Sequence, residues 1–226
     1  MKDSRNKLTV RDRMKIRKDI RRDCVWDELH MYGSEVIASD EMHKAFEQKH
    51  HMCSTVGEHT LRVAVSSVLI CHVLRRLRIN VDIPAVVVAS LCHDLGMIGR
   101  EEKYTSNKDC HRNHPKESVR VARRLVDNMP DKAEAIIERH MWPARGSKAP
   151  NSIEGIVVSV ADKYNAVKDL VKGSEFHHTG VRYCVSNKKN RLKVYGRYIK
   201  RINYILYQGL CTGASYCGTE PYNHRR

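Results

Sequence analysis

Apolar residues recur three or four positions apart in every strongly periodic segment of this 226-residue chain. This spacing places them on one face of a helix, whereas a half-buried strand would alternate apolar and polar residues. The sequence shows no internal repeat, and hydrophobic residues make up 41% of it. We therefore expect a globular all-α protein with one domain of ordinary size and terminal extensions.

Capping signals divide the centre of the chain into five expected helices. An Asn, Asp, Ser or Thr followed three residues later by Glu is typical of a helix start, and proline is favoured in the first turn. The expected starts are Thr55 with Glu58, Asp82, Pro115, Asp131 with Glu134, and Asn151 with Glu154. The second helix should run through Leu95 and stop at Gly96. Residues 146–150 and 173–180 are expected to form loops.

The net charge of +15 is concentrated at the two ends of the chain. Residues 1–23 hold ten Lys/Arg and four Asp/Glu, residues 182–226 hold ten Lys/Arg and one Glu, and the centre is neutral. The central domain is therefore not built to neutralise a phosphate backbone. We expect a basic N-terminal helical extension (1–30), a neutral helical domain (36–172), and a basic, tyrosine-rich C-terminal helix and tail (181–226).

Membrane insertion and a disulfide framework are both disfavoured by the sequence. The longest apolar run, from Ile83 to Cys92, is much shorter than the roughly 20 residues of a spanning helix. The charged first residues do not resemble a signal peptide. Eight cysteines are scattered without any CxxC pair, which favours thiols in a reducing compartment. We expect a cytoplasmic protein that does not associate with a membrane.

Six His and Asp residues with metal-binding side chains follow one another along the expected helices. An HD dipeptide alone carries little information, because roughly 0.7 copies are expected by chance. His93-Asp94, however, closes the apolar segment PAVVVASLCHDLG. Asp162 lies inside the apolar run GIVVSVADKYNAV, where a buried carboxylate needs a cation unless it faces solvent. The other members of the set are His59, His114 and His140.

Each of these residues has a simpler interpretation when it is taken alone. A single histidine on an apolar helix is usually a hydrogen-bonded core or surface residue, and Asp162 would more often pair with Lys163. His50-His51 precedes His59 by eight or nine residues and could reach the same pocket from the helix before it, but we favour a solvated helix end. His111 is expected in the loop before the third helix, which excludes it from the candidate ligands.

The ordered pattern H…HD…H…H…D resembles the HD superfamily of metal-dependent phosphohydrolases over roughly residues 40–172. The segments EHTLRVA, LCHDLG, HPKESVRVA, RHMWP and VADKYNA are similar to the corresponding family segments. The resemblance implies a helical bundle with a metal site between its helices. Cyclic-di-GMP phosphodiesterases of this superfamily carry a lysine after HDIG and a GYP segment. Met97 and RHMWPARG stand in those places here, so that branch is disfavoured.

The resemblance also implies a role for each candidate residue. His59, His93, Asp94 and Asp162 would form the primary metal site, His114 and His140 would hold a second ion, and Asp94 would bridge. One or two divalent ions of Fe, Mn, Zn, Ni or Co suit these ligands. A metal-bound hydroxide would attack phosphorus, so Asp94 is also predicted to be catalytic, together with Lys163 and Arg62. Lys163 and Arg62 would bind substrate phosphate, although surface lysines and arginines are more often solvated.

The sequence leaves two functions open. The first is hydrolysis of a phosphorylated small molecule, with a nucleotide favoured, and it depends on the complete ligand set. The alternative is an HD protein that binds RNA through its basic ends, where seven of the ten tyrosines lie among C-terminal cations. A catalytically silent sensor is disfavoured, because sensing does not require all six metal-binding positions. The oligomeric state stays open.

Overall fold

The computed structural model describes residues 10–51, 54–144 and 146–178, and the expected basic C-terminal helix lies outside these ranges. The elements follow in the order α1 (Val10–Ile37), α2 (Asp40–Glu47), β1 (Lys49–His51), β2 (Ser54–Thr55), α3 (Val56–Arg76), α4 (Ile83–Cys92), a 3₁₀ turn (Leu95–Met97), α5 (Arg100–Lys103), α6 (Asn107–Leu125), α7 (Asp131–Arg139) and α8 (Ile153–His178). β1 and β2 pair in an antiparallel sheet. The expected all-α class is confirmed, and the expected domain boundaries stay predictions.

Helix α4 forms the centre of the core because it is apolar on all sides. Its residues from Ala85 to Cys92 are all buried, and α1, α3 and α7 pack around them. Helix α1 approaches α4 closely at Gly33, where a Cβ atom would lie 2.3 Å from Leu91 Cδ1. This packing keeps the carboxyl end of α4, and the HD dipeptide that follows it, inside the protein.

Two of the predicted helix starts are confirmed. The Glu58 N–H donates to Thr55 Oγ1 at 3.2 Å and the Thr55 N–H donates to Glu58 Oε2 at 3.0 Å, which completes a capping box at α3. Asp82 Oδ1 accepts the Ala85 N–H at 3.0 Å at the start of α4. The first cap fixes the turn of α3 that carries His59.

The predicted start of the third helix is wrong. Helix α6 begins at Asn107, and Ser106 Oγ caps it by accepting the Asp109 N–H at 3.1 Å. Pro115 is buried inside the helix, where it lacks the N–H that would join the hydrogen-bond ladder. The cap at Ser106 and the packing of α6 outweigh this loss. His111 therefore lies in a helix, although its side chain is exposed.

The predicted caps of the fourth and fifth helices are also wrong. Pro130 precedes α7 and provides no side-chain cap, while Glu134 forms an ion pair with Arg123 at 2.6 Å. At the start of α8 the Gly155 N–H donates to Ser152 Oγ at 3.1 Å. The cap of α8 is therefore Ser152, one residue after the predicted Asn151. Glu154 does not take part in this cap, because its side chain is buried in the core.

Two helix ends differ from the predictions. Helix α4 stops at Cys92, before the expected Leu95, and the His93 Nδ1 lies 2.8 Å from the Ser90 carbonyl. In a continuing helix that carbonyl would accept the Asp94 N–H. Helix α8 continues through the expected loop at 173 to residue 178, since one glycine costs a helix only about 1 kcal/mol. The expected loop at 146–150 is confirmed.

Glu154 ties the starts of α4 and α8 to α7. Its Oε1 accepts the Asp82 N–H at 3.0 Å and lies 3.3 Å from Lys132 Nζ. Burial opposes ionisation of this carboxyl, but the Asp82 N–H and Lys132 outweigh it and lower the pKa of Glu154. Its stabilising contribution is therefore present above the unfolded-state pKa of about 4.3 and is lost as the pH falls below it.

Glu154→Ala is expected to lower the free energy of unfolding by about 1–3 kcal/mol at neutral pH, because the buried contacts lose their acceptor. Urea unfolding measures this loss. Glu138→Ala serves as the control, since Glu138 pairs with Lys148 at 3.7 Å at the surface and should contribute less than about 1 kcal/mol. Equal losses for the two variants would contradict the role assigned to Glu154.

Two further features of the described residues concern membrane insertion and the state of the cysteines. Within the described ranges, no helix combines the length and apolar character needed to cross a membrane. Cys71, Cys92 and Cys110 are buried thiols that pack in the helical core, and Cys24 is an exposed thiol. Burial raises the pKa of Cys71 to about 12, so this thiol stays protonated and packs as a small apolar group.

Candidate metal centre

Five helical segments bring the six predicted ligands together in the interior. His59 lies in the first turn of α3, His93-Asp94 in the turn after α4, His114 within α6, His140 directly after α7, and Asp162 on α8. All six are buried, with relative exposures between 0% and 6%. A cluster of this kind is costly unless its charges and lone pairs are paired.

The two carboxylate oxygens of Asp94 face different groups of histidines. Asp94 Oδ2 lies 3.2 Å from His93 Nε2 and 3.9 Å from His59 Nε2. Asp94 Oδ1 lies 3.2 Å from His114 Nε2 and 3.5 Å from His140 Nε2. The structure therefore divides the histidines into two pairs with one carboxylate between them.

Asp162 completes the first of these groups. Its Oδ1 lies 2.9 Å from His59 Nε2 and 4.0 Å from His93 Nε2. One donor atom from each of these three residues lies within 4.8 Å of the others, and the same holds for Asp94, His114 and His140. Each group is therefore compact enough to surround one ion.

Backbone hydrogen bonds fix the orientation of three histidine rings. The Nδ1 atoms of His93, His114 and His140 lie 2.8, 2.9 and 2.7 Å from the carbonyls of Ser90, Cys110 and Ile137. Because a carbonyl can only accept, these Nδ1 atoms carry the protons, and in the neutral rings Nε2 keeps its lone pair. This is the tautomer that presents Nε2 to a metal.

The donor set fits a divalent cation. His114 Nε2 and His140 Nε2 face each other at 3.1 Å, although both rings already donate through Nδ1. His93 Nε2 is buried and makes no hydrogen bond to any residue that the structure describes. Burial lowers the pKa of His140 to about 4, so its ring is neutral at neutral pH. An ion in each of the two groups of ligands would satisfy lone pairs that the protein leaves unmatched.

His59 lies between two carboxylates. Burial by itself would lower the pKa of His59, but its interactions with Asp162 and Asp169 raise it to about 9. In the absence of an ion the ring is therefore protonated on both nitrogens and positively charged at neutral pH. Binding of a cation to Nε2 has to release the proton on that nitrogen, as metal binding to histidine generally does.

Asp169 is a residue of this site that the sequence analysis missed. Its Oδ2 accepts from Arg62 Nη2 at 2.6 Å and from Ser54 Oγ at 3.0 Å, and lies 3.7 Å from His59 Nδ1. Asp169 follows Asp162 by seven residues on α8, a spacing that places both on one helix face. The seven-residue spacing from Asp162 is the feature of the sequence that would have indicated Asp169. Asp169 supports the ring of His59 from the side away from Asp162.

The two predicted phosphate-binding residues occupy different positions. Arg62 is one-third exposed and held by Asp169, so its charge compensates a carboxylate next to the cluster. Lys163 is also partly exposed, and its Nζ donates to the His140 carbonyl at 3.1 Å and to Asp162 Oδ2 at 2.5 Å. Lys163 therefore places a positive charge beside both groups of ligands. Contact of either residue with substrate stays a prediction.

The interpretation of His50 as a solvated residue is wrong. Its side chain is only 8% exposed, and its Nε2 lies 3.5 Å from Asp94 Oδ2. It is carried by β1 rather than by a helix end, and the sequence offers no periodic signal for so short a strand. The exposed His111 does not join the metal-binding groups found among the described residues.

The HD turn is held against α6 by Gly96. Its N–H donates to Ser118 Oγ at 2.9 Å, and its carbonyl accepts from Tyr104 Oη at 2.9 Å. A Cβ atom at this position would lie 2.4 Å from the His114 carbonyl oxygen and 2.6 Å from the Ser118 nitrogen. Glycine therefore allows the chain carrying Asp94 to approach the helix carrying His114.

Comparison with known proteins identifies the domain that holds this cluster. The family model described as HD domain matches residues 56–167, a range that contains all six predicted ligands. Neither the comparison with curated proteins nor that with solved structures found a match. With its H…HD…H…H…D residues gathered in one buried cluster, the region from 56 to 167 is an HD domain.

Proposed function

We propose that this protein is a metal-dependent phosphohydrolase that acts on a phosphorylated small molecule, with nucleotides as the favoured class. The observation that best supports the proposal is the position of Asp94, whose two oxygens face separate histidine pairs. A carboxylate in this position compensates the charge of an ion on either side. The HD superfamily consists largely of hydrolases, which supports the same reaction class.

His59, His93, Asp94 and Asp162 would hold one ion, and Asp94, His114 and His140 would hold the second. Divalent ions in such a site lower the pKa of water toward about 7 and neutralise phosphoryl oxygens. The chain's own contribution is to hold its ligands rigidly before substrate arrives. The carbonyls of Ser90, Cys110 and Ile137 fix three of the rings, and Asp169 supports a fourth.

Lys163 is the residue that we assign to substrate. Its ammonium group is partly exposed and lies next to Asp162 and the end of α7, so an entering phosphate group meets a positive charge at the edge of the cluster. Arg62 is less available, because Asp169 holds its guanidinium at 2.6 Å. We therefore propose Lys163 as the main phosphate-binding side chain and Arg62 as a support for Asp169.

A screen of nucleotides and simple phosphate esters against protein loaded with Mn, Fe, Co, Ni or Zn tests the proposed activity. Release of inorganic phosphate or of a nucleoside product from at least one compound is the expected result. The release should require added metal and stop with a chelator. A loaded protein that hydrolyses none of these compounds would contradict the proposal.

Lys163→Ala is expected to raise KM about tenfold while kcat changes much less, because the lost contact binds the phosphate of the ground state. The control is Lys168→Ala on the same helix, since Lys168 Nζ lies over the ring of Tyr164, 5.4 Å from its centroid. Metal content must be measured for both variants, because Lys163 also contacts Asp162. An unchanged KM in Lys163→Ala would remove this residue from the substrate site.

A further inference from the structure

His50 brings a seventh metal-binding side chain to the cluster. Its ring centroid lies 4.5 Å from that of His59, and its Nε2 lies 3.5 Å from Asp94 Oδ2. One ligand atom each from His50, His59 and Asp94 lies within 4.8 Å of the others. Ligand atoms around a single ion have separations of this size, so His50 is close enough to bind an ion together with its two neighbours.

The backbone that leads to His50 is anchored to two neighbouring segments. Gln48, two residues before His50, accepts the Val56 N–H through its carbonyl at 2.9 Å and the Gly99 N–H through Oε1 at 3.2 Å. The pairing of Lys49 with Thr55 joins β1 to the start of α3. These contacts attach β1 to the helix that carries His59 and to the segment that follows the HD turn. His50 is therefore positioned by the same elements as the ligands.

We propose that His50 is a fifth protein ligand of the ion held by His59, His93, Asp94 and Asp162. This inference rests on the proposed function, since it requires that the cluster binds metal. Five protein donors exceed the four that a tetrahedral zinc site takes. The site on this side of Asp94 therefore suits an ion of higher coordination number, such as Mn, Fe or Co.

A weaker role for His50 would be a hydrogen bond to Asp94 alone. The separation of 3.5 Å between Nε2 and Oδ2 is long for such a bond, whereas two ligands of one ion commonly stand about this far apart. The two roles predict different spectra, because only a ligand changes the coordination of the ion when it is removed.

The experiment titrates the metal-free full-length chain with Co²⁺, followed by calorimetry and by visible absorption. In His50→Ala one binding event should weaken about tenfold or more, and the ligand-field bands of that ion should change. Added imidazole should restore the wild-type bands by filling the vacated position. The matched control is His43→Ala, which removes an exposed imidazole on α2 and should leave both affinity and spectrum unchanged. Melting temperatures of the metal-free variants check the fold.

Two outcomes would overturn the role of His50. Unchanged Co²⁺ affinity and spectrum in His50→Ala would show that it does not act on the ion. A weaker affinity with an unchanged spectrum would show a hydrogen-bonding role only. If His50→Ala does not fold, His50→Gln takes its place and has the same expected result. Wild-type protein that binds no Co²⁺ would instead contradict the proposed function itself, which separates the two failures.

Discussion

Asp94→Asn is expected to cause the largest loss of hydrolysis of any single substitution, on the order of 10²–10³-fold in kcat. The amide keeps the size of the side chain but removes the negative charge that faces both histidine pairs at 3.2 Å. Burial opposes the charge on Asp94, but the surrounding histidines hold its pKa well below the usual value, so the native group is a carboxylate. Affinity for metal should fall in both groups of ligands.

The comparison needs kcat and metal content for Asp94→Asn beside wild type, with a substrate from the screen. Asp40→Asn is a suitable control, because Asp40 lies exposed in the first turn of α2 and should change neither quantity. Asp94→Asn protein that binds metal and retains a kcat near that of wild type would show that Asp94 is not the bridge. The division into two ligand groups would then fail as a mechanism.

Gly96→Ala is expected to lower both stability and metal affinity. The added Cβ would meet two backbone atoms, the His114 carbonyl oxygen at 2.4 Å and the Ser118 nitrogen at 2.6 Å. Backbone cannot move aside as a side chain can, so the HD turn and α6 must separate. We expect a loss of about 1–3 kcal/mol in the free energy of unfolding. Asp94 and His114 would also move apart, which should weaken metal binding.

Gly155→Ala is the matched control for this prediction. A Cβ atom there would lie 3.0 Å from Pro150 Cβ and 3.4 Å from Ser152 Oγ, which are side-chain atoms of the segment before α8. The variant should lose less stability and retain its metal affinity. Urea unfolding and calorimetric metal titration give both quantities. Equal effects of the two substitutions on metal affinity would contradict the role of Gly96 in joining Asp94 to His114.

The clustering of the six His and Asp residues could be predicted from two local signals and from their order along the chain. His93-Asp94 ends a wholly apolar helix, Asp162 interrupts an apolar run, and the order of the histidines along the chain resembles a known family. The cap at Thr55 could also be predicted from the sequence, because both of its hydrogen bonds join residues that are three positions apart. The local signals depend on neighbours in sequence, and the structure brings these residues together, while their role as ligands stays a prediction.

The parts that were missed depend on contacts between distant segments. Asp169 meets Arg62 and Ser54 across more than 100 residues, and the Arg62 side chain is turned to it by an interaction that no local pattern contains. His50 reaches Asp94 because β1 is tied to the segment beyond the HD turn. The helix start predicted at Pro115 was wrong for the opposite reason. Proline has a strong local preference for the first turn of a helix, but the packing of α6 outweighs it here.

Metal analysis of protein purified without chelator, followed by calorimetric titration with Mn, Fe, Ni and Zn, tests the central claim most directly. We expect bound transition metal in the purified protein and affinities better than micromolar. His114→Ala and His140→Ala should each lower occupancy of the second site while the first stays largely filled. Metal-free protein that takes up none of these ions with better than micromolar affinity at neutral pH would contradict the account.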